Sequence, residues 1–173
     1  MEAFMNNFTA ITAEQWNSNV FQAIGKEWML ITAKNQSRVN TMTASWGGVG
    51  ILWGKPVAFV FIRQSRYTKE FVDASATFSL SFFSGNYKKE LGYLGKVSGR
   101  KEDKIKNAGL TVTEVDEIPY FDEANVVLLC RKMACVPIEK EHFLDLDIDT
   151  SWYKDQDYHT MYVVEITQIL TRE

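Results

Sequence analysis

Strand-type patterns recur along the whole chain, and helical patterns are short. Residues 57–62 form an unbroken apolar run, typical of a buried strand, and residues 77–82 alternate strictly between apolar and hydroxyl side chains. Further strands are predicted at residues 28–33, 110–115, 125–136 and 159–170. The glycines within residues 39–53 indicate either a close backbone approach or a bent strand. Helical spacing occurs at residues 12–25, 69–74, 87–94 and 102–108. This pattern predicts a mainly β fold, an antiparallel barrel or sandwich with helical decorations.

Composition fits one globular domain over residues 1–173 and disfavours several functions. The 19 lysines and arginines against 22 aspartates and glutamates give a net charge of −3. A general nucleic-acid binder needs a basic face, so we expect no nucleic-acid partner. The sequence shows neither a signal-peptide pattern nor an apolar run long enough to span a bilayer. We therefore expect a soluble, cytoplasmic protein with no membrane partner.

Metal chemistry has little support in the sequence. Cys130 and Cys135 are separated by an odd number of positions on a predicted strand, so they would face opposite sides and remain free thiols. His142 and His159 are the only histidines, too few for a histidine-rich metal site. The acidic residues at 145–157 are predicted to form a solvated surface loop, and no metal site is predicted.

The first candidate site is the loop at residues 63–68, between the strand at 57–62 and the helix that follows. Its polar side chains are two guanidiniums, one amide and two hydroxyls: Arg63, Arg66, Gln64, Ser65 and Thr68. Guanidiniums suit phosphate, and a helix N-terminus offers unpaired N–H groups to anions. Two hypotheses stay open: an anion site, or a helix capped by Ser65 with two solvated arginines.

The second candidate is the segment 40–46, rich in small residues that let a planar ring approach the backbone. Thr43 and Ser45 lie on one side of an extended chain and offer hydrogen bonds to ring heteroatoms. Trp46 or Trp53 would supply an aromatic wall. The alternative is an ordinary strand with a packed tryptophan.

Two further candidates are weaker when taken singly. Ser98, Gly99 and Arg100, followed by Lys104, combine a flexible glycine with cations that would cover an anion; the alternative is a helix-to-helix turn with solvated charges. His159 opens the last strand and could hydrogen-bond a ring; a structural histidine is the alternative. The dinucleotide glycine fingerprint, the P-loop and hydrolase motifs are missing from the sequence.

Taken in order, these segments resemble the flavin reductase-like family, the FMN-binding split barrels that include flavoredoxin. The resemblance covers about residues 24–169. The segments that carry it are 40–46 (NTMTASW), 55–57 (KPV), 63–71 (RQSRYTKEF), 78–81 (FSLS), 98–100 (SGR), 103–105 (DKI), 123–124 (EA), 130–131 (CR) and His159.

The resemblance implies a six-stranded Greek-key split barrel and a homodimer, with non-covalent FMN near the subunit interface. The family's ring-binding segment falls on Thr43, Ala44, Ser45 and Trp46. Its phosphate-binding segment falls on Arg63, Gln64, Ser65, Arg66 and Thr68. The residues that match a stretch near the cofactor are Ser98, Gly99, Arg100 and Lys104. His159 matches a histidine near the flavin in some relatives and is the candidate catalytic residue.

The resemblance implies an oxidoreductase in which FMN carries the electrons. An NADH- or NADPH-dependent reductase would pass them to flavin or another small acceptor. The alternative is a flavoredoxin-like electron carrier, reduced by a partner protein and without its own nicotinamide site. A barrel that has lost its cofactor is a third hypothesis, against which the intact loop at residues 63–68 argues.

Overall fold

The structure is a computed structural model and describes residues 7–172. Within that range the strands are β1 (Thr9–Ile11), β2 (Met29–Asn35), β3 (Arg38–Ala44), β4 (Gly47–Leu52), β5 (Lys55–Arg63), β6 (Thr77–Phe82), β7 (Val112–Val115), β8 (Ile118–Phe121), β9 (Val126–Pro137) and β10 (His159–Thr171). The helices are α1 (Val20–Gln22), α2 (Tyr67–Ala74), α3 (Lys88–Lys96), α4 (Lys104–Asn107) and α5 (Leu146–Trp152). None of them is long and apolar enough to cross a membrane.

The main sheet is antiparallel and follows the order β3-β2-β6-β9-β10-β5-β4, with β1 added to β10. Its two end strands, β3 and β4, do not pair, so the sheet is not closed. The mainly β fold is confirmed, although the main sheet has eight strands where six were implied. Residues 39–53 hold two strands and not one bent strand, because the chain turns at residues 45–46 and β4 forms its own hairpin with β5.

Apolar clusters cover both faces of the sheet. On β9, Leu128 and Cys130 belong to one cluster, whereas Val127 and Leu129 belong to the other. This two-sided burial accounts for the nearly continuous apolar sequence of the strand. The hydroxyl face predicted for β6 is also covered, because Ser79 is fully buried and donates to the Pro119 carbonyl at 2.5 Å.

Two predictions about local structure are wrong. The single helix at 12–25 is interrupted, because the Asn19 side chain accepts from two backbone N–H groups and caps a new start at Val20–Gln22. Phe21, expected on its buried stripe, is 88% exposed. The expected loop at 145–157 contains α5, which Asp145 caps by accepting from the Asp147 N–H at 3.0 Å.

The two cysteines agree with the prediction from strand parity. Cys130 is buried and Cys135 is exposed, and both are free thiols.

The pairing of β10 with β5 brings distant parts of the chain together. The register pairs His159 with Arg63. The start of β10 therefore lies beside the loop at residues 63–68, which leads into α2. Helix α3 packs against β3 on the other side, since the Thr43 hydroxyl donates to the Leu91 carbonyl at 2.5 Å. The candidate segments thus meet at one end of the sheet.

Candidate functional site

A cavity of about 450 Å³ opens where this end of the sheet meets the last turn of α5. Its lining combines aromatic and polar side chains: Met42, Thr43, Ala44, Ser45, Trp46, Phe61, Arg63, Ser65, Arg66, Trp152 and His159. We call it the aromatic cavity. All four residues of the predicted ring-binding segment line it, together with His159.

Tryptophans form much of its wall. Trp46 packs edge-on against Trp152, with ring centroids 4.9 Å apart, and lies 5.3 Å from the His159 ring. Trp53, the alternative wall, lies on the turn between β4 and β5, is 62% exposed and does not line the cavity. Trp46 is therefore the tryptophan that the structure places at the site.

The polar groups of the cavity differ in how they are held. The hydroxyl of Thr43 is engaged by α3, as described above. The Ser45 hydroxyl has no hydrogen-bond partner among residues 7–172, so it is free to bind an occupant. His159 is 7% exposed, and its Nδ1 lies 2.7 Å from the Tyr153 hydroxyl. Burial, together with the nearby Arg63 charge, lowers the pKa of His159 to about 4, so its ring is neutral at neutral pH.

A smaller pocket of about 80 Å³ adjoins the aromatic cavity and shares Met42, Ser65 and Arg66 with it. Its other lining residues are Asn40, Tyr67, Thr68, Lys96, Val97, Ser98 and Lys104. Three of its side chains are cationic, so we call it the cationic pocket.

Arg66 and Lys104 are held by backbone carbonyls alone. Arg66 donates to the carbonyls of Gly95 at 3.0 Å and Thr43 at 3.5 Å. Lys104, 4% exposed, donates to those of Leu94 and Val97, each at 2.9 Å. In the part of the chain that the structure describes, neither cation forms a salt bridge.

The electrostatics of this pair favour an anion. Burial and, to a smaller extent, the Arg66 charge lower the pKa of Lys104 to about 8. Burial and the Arg63 charge likewise lower the pKa of Arg66. Two partly desolvated cations that face one pocket repel each other, and an anion between them would relieve both costs.

The N-terminus of α2 borders the same pocket. Arg66 occupies its N-cap position, and the side chain provides no cap. The hypothesis that Ser65 caps this helix is wrong, because the Ser65 N–H donates to Asp157 at 3.0 Å and its hydroxyl donates to the same carboxylate. Thr68 accepts from the Asn40 amide at 2.9 Å. The helix therefore presents an uncapped N-terminus beside two cations.

Arg63 and Gln64 bind the segment that follows α5. Arg63 donates to the carbonyls of Trp152 at 2.9 Å and Asp157 at 3.0 Å, and the Gln64 amide donates to the Thr160 hydroxyl at 2.7 Å. Arg63 lines the aromatic cavity, whereas Gln64 lines neither site. The five polar residues of the loop thus have different roles in the structure.

The last predicted group is also divided. Ser98 lines the cationic pocket. A Cβ on Gly99 would clash with the Asn40 Oδ1, so a larger residue there requires the Asn40 side chain to move. Arg100 forms a salt bridge with Glu70 and stacks 4.3 Å above the Tyr67 ring; it lines a neighbouring cavity, not the cationic pocket.

The model of the flavin reductase like domain matches residues 21–173. The chain belongs to the flavin reductase-like family. The resemblance seen in the sequence is thereby confirmed.

Solved structures support the same family fold. The chain is similar to the FMN-binding domain of a flavin reductases-like enzyme from Shewanella baltica, with TM-score 0.70 and 16% identity over 96% of this chain and 78% of that one. It is similar to the flavoredoxin from Methanosarcina acetivorans, with TM-score 0.64 and 25% identity over 85% and 69% of the two chains.

A sequence relative is also found. An uncharacterized protein of Aeropyrum pernix is 31% identical over 103 residues, or 58% of this chain. The match spans 39% of that relative's length.

Sequence reasoning missed three residues at the aromatic cavity, and Lys96 in the cationic pocket. Trp152 and Phe61 line the aromatic cavity, and Tyr153 contacts His159. Trp152 and Tyr153 fell in a segment taken for an acidic loop, and Phe61 in an apolar strand with no polar signal. The register of β5 against β10 places Arg63 beside His159, and the bond from Arg63 to the Trp152 carbonyl holds the end of α5 there.

Proposed function

We propose that this protein binds FMN non-covalently and is an oxidoreductase that uses NADH or NADPH to reduce flavin or another small acceptor. The observation that carries the proposal is the junction of the two sites. An aromatic cavity of about 450 Å³ adjoins a cationic pocket of about 80 Å³, and both are lined by Ser65 and Arg66. A ligand in which a planar ring is joined to a phosphate would match both sites, with the ring in the aromatic cavity and the phosphate in the cationic pocket.

The residues present fit such a cofactor. Arg66 and Lys104 would hold the phosphate, with Thr68 and Ser98 beside them. Trp46 would cover part of the ring. When bound, FMN supplies the capacity to accept and release two electrons.

The chain's own groups favour added negative charge on an occupant of the aromatic cavity. Arg63 and Arg66 line the cavity as cations, and Ser45 offers a free hydroxyl. Fixed donors and charges of this kind stabilise a charge that develops during reaction. A buried, neutral His159 adds a polar ring without a further positive charge.

A flavoredoxin-like electron carrier, reduced by a partner protein, is the second candidate function. The similarity to the flavoredoxin from Methanosarcina acetivorans favours it. The rims of the aromatic cavity also favour it, because Trp46 is 41% exposed and Trp152 is 55% exposed, within reach of a docked redox partner.

We also infer a homodimer with the flavin near the interface. The edge strand β4 supports it, because among residues 7–172 one side of β4 has no paired strand, and Ile51 is 70% exposed. Light scattering on the purified protein tests the inference; a monomer at all concentrations would contradict it.

The test of the function is an absorbance spectrum of the protein after FMN addition, repeated anaerobically with NADH and then NADPH. Flavin bands that bleach rapidly with either nucleotide support the reductase. Bands that persist until dithionite is added support the electron carrier. A failure to bind FMN would overturn both.

A further inference from the structure

We propose that Tyr153 is a positioning residue that holds His159 in the tautomer protonated on Nε2, so that His159 presents an N–H donor to the ring of a bound flavin. The flavin contact rests on the proposed function, whereas the choice of tautomer rests on the protein alone.

The geometry allows two arrangements of one hydrogen bond. The Tyr153 hydroxyl and the His159 Nδ1 are 2.7 Å apart, and both side chains are 7% exposed. Either the hydroxyl donates to Nδ1, or Nδ1–H donates to the hydroxyl oxygen. A neutral imidazole carries one N–H, so the first arrangement puts the proton on Nε2 and the second puts it on Nδ1.

Hydrogen-bond satisfaction decides between them. Among residues 7–172, the Tyr153 hydroxyl has His159 as its only partner. If Nδ1 donated, the hydroxyl proton would have no protein acceptor in a buried position, which is costly. With one partner available, the hydroxyl donates to Nδ1, and the raised pKa that burial gives Tyr153 agrees with a protonated hydroxyl. The proton of His159 then resides on Nε2.

The Nε2 atom is available to an occupant. Within the described part of the chain it has no hydrogen-bond partner, yet it is not among the unpaired polar atoms sealed from solvent. His159 lines the aromatic cavity. With Nδ1 engaged by Tyr153, the Nε2–H is the only donor that the neutral ring can offer there.

Tyr153 is itself fixed by its surroundings. Its ring stacks on Tyr158, with centroids 4.8 Å apart, and lies 5.5 Å from Phe143. The Arg63 guanidinium lies 5.1 Å from the Tyr153 ring centroid. A hydroxyl on a ring packed in this way has a defined direction, as a positioning role requires.

Nitrogen NMR of the ¹⁵N-histidine-labelled protein without FMN tests the tautomer, since protonated and unprotonated imidazole nitrogens have distinct shifts. We expect His159 to show Nε2–H alone in the wild type and a mixture of tautomers in Tyr153→Phe. Tyr158→Phe is the matched control, because its hydroxyl bonds Asp149 at 2.6 Å and not His159. The His142→Gln variant assigns the signals. A proton on Nδ1 in the wild type, or one unchanged tautomer in Tyr153→Phe, overturns the assignment.

Addition of FMN tests the contact. We expect the Nε2 signal of the wild type to shift, and the reduction potential of bound FMN to become more negative in Tyr153→Phe but not in Tyr158→Phe. Bound FMN with an unmoved Nε2 signal and an unchanged potential overturns the positioning role. If FMN does not bind, the proposed function and the contact fail together, while the tautomer result stands.

Discussion

The aromatic cavity and the cationic pocket differ in how the chain builds them. The cationic pocket draws Arg66 and Thr68 from one loop and helix start, and Ser98 and Lys104 from another short segment. The aromatic cavity joins Trp46 to Trp152 and His159, more than a hundred positions away. The cationic pocket is dominated by cations from two short segments. The aromatic cavity shares Arg66 and adds aromatic side chains that are brought together over long sequence distances.

That difference separates the two parts of the proposed ligand. Charge-assisted hydrogen bonds in the cationic pocket act on a phosphate and not on a ring. Packing in the aromatic cavity acts on the ring whether or not a phosphate is attached. FMN and riboflavin, which has the same ring without the phosphate, are therefore the pair of probes that distinguishes them.

The largest expected effect comes from Arg66→Gln. We expect FMN affinity to fall by about 10- to 100-fold, because a charge-assisted hydrogen bond contributes about 1.5–3 kcal/mol. Riboflavin affinity should change far less. Fluorescence titration of both ligands measures the two values.

The control for this variant is Arg38→Gln, which removes an exposed arginine from the neighbouring cavity and leaves the cationic pocket unchanged. Equal losses for FMN and riboflavin in Arg66→Gln would contradict a role confined to the phosphate. Arg66 would then act on the aromatic cavity that it also lines, or through the fold by its bond to the Gly95 carbonyl.

Trp46→Ala should have the opposite signature. We expect FMN and riboflavin to lose affinity alike, by about five- to tenfold, because aromatic contacts contribute about 0.5–1.5 kcal/mol beyond area burial. The same titrations measure both losses. Trp53→Ala is the matched control, since Trp53 lies on an exposed turn. A loss confined to FMN would contradict the assignment of Trp46 to the ring.

The same contrast explains how much the sequence could predict. The loop at residues 63–68 combines a strand end, a helix start and forked donors, so local patterns were enough to predict a candidate anion site there. The strands could also be predicted from the sequence, because burial on both faces of the sheet gives long apolar runs. The positions of Trp152 and Tyr153 could not be predicted from the sequence, because their segment is acidic and its helix, α5, depends on the cap at Asp145. Local sequence patterns do not predict which end of which strand the segment that contains α5 will contact.

A smaller effect is expected from Gly99→Ala. The added Cβ would clash with the Asn40 Oδ1, so Asn40 must move and its 2.9 Å bond to Thr68 weakens. We expect FMN affinity to fall by about three- to tenfold, which corresponds to the free energy that one ordinary hydrogen bond contributes. Riboflavin affinity should not change. Titration of both ligands measures this, with Gly92→Ala as the control because nothing lies within 4 Å of its Cβ position. Identical FMN affinities in the two variants would mean that the Asn40 side chain does not help to hold the cationic pocket in shape.

The smallest effect concerns the aromatic cavity alone and requires no ligand. Burial and the Arg63 charge lower the pKa of His159 from 6.5 to about 4. As the pH falls between these values, the unfolded chain binds a proton at His159 that the folded protein does not, so the free energy of unfolding decreases. We expect His159→Gln to lose less stability than the wild type between about pH 7 and about pH 5 in urea unfolding.

His142→Gln provides the comparison for that measurement, because His142 is exposed and outside both sites. It should keep the pH dependence of the wild type, since acidic groups and other shared features contribute equally to all three proteins. Parallel slopes for wild type and His159→Gln would mean that water or a rearrangement accommodates a protonated His159. Burial beside the aromatic cavity would then not be what keeps His159 neutral in the folded protein.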